Sequence, residues 1–199
     1  IAPSADITAR LLAGADLYSE VGALAAKALG VEGIAPDNAR ATGWRDVGKT
    51  IVLASGYGMG AAKFMTQITL PGKHVTFEDA QNLINLYRET YPQVPVFWKW
   101  IERAFNQVRE VGGRAGLPGV FEYSKAANGR DIILTKVSGA RLIYRDVKID
   151  SVQGKFGVQQ KLSYVGLGKN GKPRRDDIYG GALTGHLIQS LARDLMGSA

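Results

Sequence analysis

The hydrophobic pattern changes period part-way along this 199-residue chain, and that change limits the folds open to it. In the first half apolar residues recur every three to four positions, as one face of a helix requires. Leu17, Val21, Leu24, Ala25 and Ala28 form such a stripe over 16–29, and Gly30 fits its stop. A second helix is expected from near Asn38 through Leu53. A third opens at Thr76-Phe77-Glu78-Asp79, a capping-box pattern with Asp in place of Glu. Phe77, Ala80, Leu83, Ile84 and Tyr87 form its expected buried stripe. Pro92 and Pro95 interrupt the pattern, and 96–111 reads as a fourth helix with Phe97, Trp98, Trp100, Ile101 and Phe105 as core residues. Beyond about 115 the period falls to two. Val120–Tyr123, Asp131–Lys136, Ala140–Lys148 and Val158–Val165 are short β-rich runs split by Gly and Asn turns. Gly181–Met196 returns to helix, with Leu183, Leu187, Ile188, Leu191 and Leu195 on one side. Helices, then antiparallel strands, then a helix predict an α+β protein. No repeat or linker separates them, so one unit over 1–199 is expected, mainly helical to about 115 and strand-rich from about 116.

Composition removes several function classes. There is no cysteine, which excludes disulfides, thiolate metal sites and thiol nucleophiles, and His74 and His186 stand far apart with no second ligand at metal spacing. Neither a metal nor a cofactor is expected. No apolar run approaches the roughly 18 residues of a membrane span. The chain begins at Ile1 with nothing that reads as a secretion signal. Net charge is +7, which favours a polyanionic partner, nucleic acid being the commonest. Seven basic side chains lie between Lys148 and Arg175, and Lys169-Asn170-Gly171-Lys172-Pro173-Arg174-Arg175 reads as a compact basic loop. A solvated turn and a phosphate-contacting loop both fit that stretch.

Two motifs compete for the same residues. Gly43-Trp44-Arg45-Asp46-Val47-Gly48-Lys49-Thr50 satisfies the written P-loop pattern. A P-loop joins a buried strand to a helix, but 35–42 holds no β-branched apolar run and no strand–crossover–helix unit follows. The match is read as accidental. Alternatively, Arg45, Lys49 and Leu53, spaced by four, share one helix face, with Tyr57 and Gly58 in the loop beyond it.

The stretch Arg45 to Phe64 resembles the fingers helix of family A DNA polymerases, nearest the phage branch. Tyr87-Arg88-Glu89-Thr90-Tyr91-Pro92, Phe97-Trp98 and Glu102-Arg103-Ala104 resemble the next fingers helices. Ser138–Tyr144 fits a palm strand, and Tyr179–Leu183 through Gln189–Leu195 resembles the palm helix before the last catalytic motif. The resemblance implies a helical fingers-like lobe on an antiparallel palm-like lobe. It also implies that Arg45 and Lys49 face phosphates, Tyr57 lies near a templating base, and Gln189 lies near the duplex minor groove. Polymerisation needs two carboxylates holding paired Mg²⁺. Pro3 stands where the first is expected, Thr8 replaces the family's Glu, and the chain stops before the motif that carries the second. Gly185 and His186 replace a Glu-Asn pair. The resulting expectation is a non-catalytic, sequence-nonspecific DNA-binding protein of phage-type replication, working in the bacterial host cytoplasm. Its partners would be DNA, double-stranded by preference with single strands as the alternative, and other replication proteins. The expected contacts are Arg45, Lys49, Tyr57, Lys63, Lys169, Lys172, Arg174, Arg175 and Gln189. The competing reading is a fragment or subunit of an active polymerase whose carboxylates lie on another chain or segment.

Overall fold

The computed structural model describes residues 7–154, 157–168 and 170–197. Two compact units divide between Val96 and Phe97. The hydrophobic period changes only near 115, because the helix carrying the boundary is spent largely on the sheet's core, as its buried residues show below.

The first unit holds α1 (Ile7–Leu12), α2 (Leu17–Ala28), α3 (Trp44–Ser55), α4 (Ala61–Met65), α5 (Phe77–Thr90) and the start of α6 (Gln93–Val111). Asp16 caps α2, its carboxylate accepting from the Tyr18 and Ser19 N–H groups. Helices α2 and α3 meet with almost no side chain between them. A Cβ on Gly22 would lie 2.2 Å from the Trp44 carbonyl oxygen, and one on Gly48 2.0 Å from that of Tyr18. Around this contact Val21, Ala25, Val47, Ile51, Phe64, Leu83, Ile84 and Tyr87 form the core. The helix expected from Asn38 begins only at Trp44, after turns over 36–43. Gly43 is left-handed at φ +79°, and the Asn38 side chain bonds to the Ala35 N–H and Gly33 C=O instead of continuing a helix. The capping box of α5 is present. Thr76 Oγ1 accepts from the Asp79 N–H at 3.1 Å, Asp79 Oδ2 accepts from the Thr76 N–H at 3.0 Å, and Lys73 Nζ binds Asp79 Oδ1 at 2.8 Å. Phe77, expected in the buried stripe, is 56% exposed: it stands at the first helical position, ahead of the turn that meets the core.

The second unit is a six-stranded antiparallel meander in the order β1 (Arg114–Leu117), β2 (Phe121–Lys125), β3 (Ile132–Lys136), β4 (Arg141–Gly154), β5 (Gly157–Leu167) and β6 (Pro173–Asp177), followed by α7 (Gly180–Gly197). Helix α6 starts before residue 96 because Pro95 sits in its first turn, where no donor is needed. Its Ile101, Phe105 and Val108 pack with Leu183 and Leu187 of α7 against Phe121, Tyr123, Ile132, Leu134 and Tyr144 of the sheet. Phe105 meets Tyr123 and Tyr144 edge-on at 5.2 Å. Buried Lys136 ties β3 to α7 through Asp194 Oδ1 at 2.6 Å and the Ser190 carbonyl at 2.9 Å. Strands β1 and β6 escape the period-two reading. The first is four residues with a glycine, and β6 is a polar edge strand opening on proline, so the basic stretch is a loop only up to Lys172. On α7, Ile188 and Leu195 are exposed, 49% and 77%, and not on the buried side with Leu183 and Leu187. The described chain is α+β as expected.

Two outcomes follow. Gly48→Ala should lower stability by about 2 kcal/mol or more, because the methyl meets backbone and not a yielding side chain; chemical denaturation measures this, with exposed Lys49→Ala near neutral as control. His186 packs on Tyr144 and Tyr164, its Nδ1 3.3 Å from the Tyr144 hydroxyl, and burial holds its pKa below the ordinary 6.5 against an opposing pull from Asp176. The unfolded chain therefore protonates first as pH falls. Stability is intact above 6.5 and declines below it, a decline that His186→Phe should flatten in thermal melts at several pH values.

Candidate nucleic-acid interface

Charge is divided unequally between the units. Residues 1–96 carry 8 Lys and Arg against 9 Asp and Glu, whereas 97–199 carry 17 against 9, so the halves have net charges of −1 and +8. The sheet-bearing unit holds the whole excess. Any field that draws in a polyanion originates there.

Among the sequence-predicted contacts in the first unit, Arg45 lies on α3 with its Nε 2.6 Å from Asp16 Oδ2 and its guanidinium carbon 5.2 Å from the Tyr18 ring centroid. Hydrogen bonding from Arg45 is the largest cause holding the Asp16 carboxyl below its usual range. That same carboxylate caps α2, so Arg45 fastens α3 to the start of α2. Lys49, one turn on, is exposed and forms no ion pair among the described residues, and Leu53 beyond it is 47% exposed. The expected cationic face thus presents one free charge. Tyr57 is half-buried in the turn after α3, and Lys63 is exposed in the last turn of α4.

In the second unit the basic stretch from 148 to 175 is laced with carboxylates. Lys148 pairs with Asp150 at 2.9 Å, Lys161 with Asp177 at 2.8 Å, and Arg174 with Asp176 at 2.6 Å. Arg175 pairs with Asp146, and its Nη1 also donates to the Asp146 carbonyl at 3.2 Å and to Ser163 Oγ at 3.0 Å. Lys172, in the β5–β6 turn, is exposed with no ion pair among the described residues. Lys169 lies outside the described residues. Gln189 is exposed on α7. The partners of Arg45 and Arg175 lie 29 residues away in sequence, Asp16 before the one and Asp146 before the other, so neighbouring residues gave no signal of them.

The P-loop pattern has a different origin. Residues 44–55 are one continuous α-helix, and Gly48 lies within it against α2. Its missing side chain serves helix contact, and no phosphate-cradling loop forms. Among the described residues, no three His, Cys, Asp or Glu side chains are grouped to hold a metal ion, and no helix is long and apolar enough to cross a membrane.

Over 157 residues the chain is 27% identical to the DNA polymerase of Bacillus phage SP02. The match covers 76% of this chain and 23% of that polymerase, so the chain spans less than a quarter of its relative's length. No family model matches the chain. No solved structure matches it either.

Lys49 is accordingly expected to have no role in nucleotide hydrolysis. The purified chain should show no saturable ATPase activity, and Lys49→Ala should leave nothing to lose in that assay. A stoichiometric, Mg²⁺-dependent ATP complex abolished by Lys49→Ala would restore the P-loop reading.

Proposed function

We propose that this protein is a non-catalytic, sequence-nonspecific DNA-binding relative of the phage family A polymerases that acts in DNA replication and prefers the double helix. In this reading the helical unit corresponds to a fingers-like part, and the sheet with α7 to a palm-like part. The observation that carries it is the similarity to a DNA polymerase over 157 residues. The net charge of +8 on the sheet-bearing unit supports DNA as the partner. The absence of chemistry rests on the resemblance at the first catalytic motif, where Pro3 offers no oxygen side chain to Mg²⁺ and Thr8 no carboxylate.

Contact with phosphate falls to the cations left without a carboxylate. Lys49, Lys63 and Lys172 are of that kind, while Arg174 shares its charge with Asp176, and Tyr57 and Gln189 complete the polar set. Arg45 and Arg175 act from behind the surface, through Asp16 and Asp146. Backbone contacts of this type give affinity without sequence information.

A second reading, a piece of an active polymerase completed by another segment, is favoured by the chain spanning only 23% of its relative. The exposed Ile188 and Leu195 on α7 fit it as well, being apolar surface that a further segment could cover. One pair of assays separates the two. Alone, the chain should extend no primer with Mg²⁺ or Mn²⁺, and it should bind unrelated duplexes equally well. Its affinity should fall with salt at a log–log slope of about −0.9 per phosphate neutralised. Primer extension by the chain alone, or after addition of a separate chain bearing the two carboxylate motifs, would favour the polymerase piece. Salt-insensitive binding would remove the DNA-binding reading.

A further inference from the structure

Within the second unit, helices α6 and α7 pack on one face of the sheet. Phe121, Tyr123, Leu134 and Tyr144 pack toward α6 and α7, and Tyr164 meets Tyr144 and His186 on the same side. On β4 the alternate residues Arg141, Ile143 and Arg145 are exposed. They stand opposite Thr135, Ile133 and Val165 in register, so these six residues line the open face.

Next to this row the strand is broken by design. The register between β4 and β5 shifts between Arg145 and Lys148, and Asp146 sits at φ +48°, the one non-glycine residue with positive φ among the described residues. Three groups hold it there: the Asp131 carboxylate accepts from the Asp146 N–H at 2.8 Å, Arg175 donates to the Asp146 carbonyl at 3.2 Å, and the same guanidinium pairs with the Asp146 carboxylate. A costly backbone conformation kept by converging hydrogen bonds marks a segment held for a purpose.

The consequence is electrostatic. Both acidic side chains of this corner are occupied, Asp131 by a backbone N–H and Asp146 by Arg175. Arg130, whose carbonyl accepts from the Val147 N–H at 3.0 Å, is exposed beside the bulge. Neither it, nor Arg141, nor Arg145 forms an ion pair among the described residues. The Asp131 carboxyl is held below its usual range first by the Asp146 N–H and then, more weakly, by the charges of Arg130 and Arg145, so one carboxylate faces two guanidinium groups there. With Arg141, an excess of arginine charge therefore stands on one face and its edge, while the neighbouring basic stretch is matched with carboxylates. Arginine is the side chain best shaped for phosphate oxygens.

We infer that the open face of the sheet around β4, with Arg130, Arg141 and Arg145, is the surface that contacts the phosphates of double-helical DNA. This rests on the DNA-binding reading above and adds where and what. A single-strand surface needs exposed rings on which bases stack. The open face offers Ile133, Ile143, Val165 and Thr135 instead, and the aromatic rings of the described strand residues lie on the covered side. Arg141 and Arg145 are about 13 Å apart along the strand, at roughly 3.3 Å per residue, so each reaches a different phosphate. The bulge clasp is the positioning element: Asp146 and Arg175 keep Arg145 and Arg130 beside one another without contacting DNA themselves.

The test is a gel-shift or anisotropy titration of the full chain across several salt concentrations. Probes are a blunt DNA duplex and a single strand of the same sequence. Arg141→Gln with Arg145→Gln should flatten the log–log salt slope on duplex by about 1.8, twice 0.9, and weaken binding to it. Both side chains are exposed, so melting temperature should hold, and circular dichroism checks this. Lys27→Gln with Lys99→Gln, two exposed lysines with no part in the proposed contacts, serves as the comparison and should move the slope less. Amide exchange of the unaltered protein should slow on β3 and β4 when duplex is added. If the unaltered protein binds duplex with a salt slope that the arginine pair leaves unchanged, the surface is assigned wrongly while the DNA-binding reading stands. Tighter binding to the single strand would overturn the duplex assignment. If the unaltered protein binds neither probe at low salt, both readings fall together.

Discussion

Helices α2 and α3 touch backbone to backbone at Gly22 and Gly48, and the first unit is arranged around that contact. With no Cβ at either position the helices approach until Trp44, Val47 and Ile51 reach the core beside Val21 and Ala25. The same approach sets α3 so that Lys49 and Leu53 look outward, and it brings Arg45 onto Asp16, the residue that caps α2. One close contact thus decides which residues of a cationic stripe are surface and which are fasteners. It also explains how a phosphate-binding pattern can be written in a sequence that forms no phosphate loop.

In the second unit the comparable decision is made by carboxylates. The unit has about twice as many cations as anions, and the anions are placed where they hold structure. Asp194 anchors buried Lys136, Asp131 and Asp146 fix a bulge, and Asp150, Asp176 and Asp177 sit beside the strand cations. Fast, long-range attraction for a polyanion depends on the whole excess. Close contact depends on the few side chains left over, and their positions follow from the antiparallel register.

Much of the local structure was legible. The Thr76–Asp79 cap, the span of α2 and the alternation of β2 and β3 each express a short-range rule, a cap bond or a period, that operates within a few residues. The misses share a cause. A helix from Asn38 failed at Gly43 because a left-handed residue is invisible in hydrophobic spacing. Edge strands β1 and β6 carry no alternation because half of such a strand's surroundings is water. Leu24, Ala28, Phe77, Trp100, Ile188 and Leu195, expected in buried stripes or the core, are exposed, because they stand at the ends and far sides of their helices.

The sequence by itself determined the succession of helices and antiparallel strands, the charge excess, and the lack of thiol chemistry, because composition and periodicity are properties of the unfolded chain as well. Only the tertiary structure decided which cations are free. Arg45 and Arg175 look no different in sequence from Lys49 and Arg145, yet carboxylates 29 residues distant claim the first two. A charge is cancelled by what lies within a few ångströms, and that neighbour is set by helix contact and strand register, which no local pattern of residues encodes.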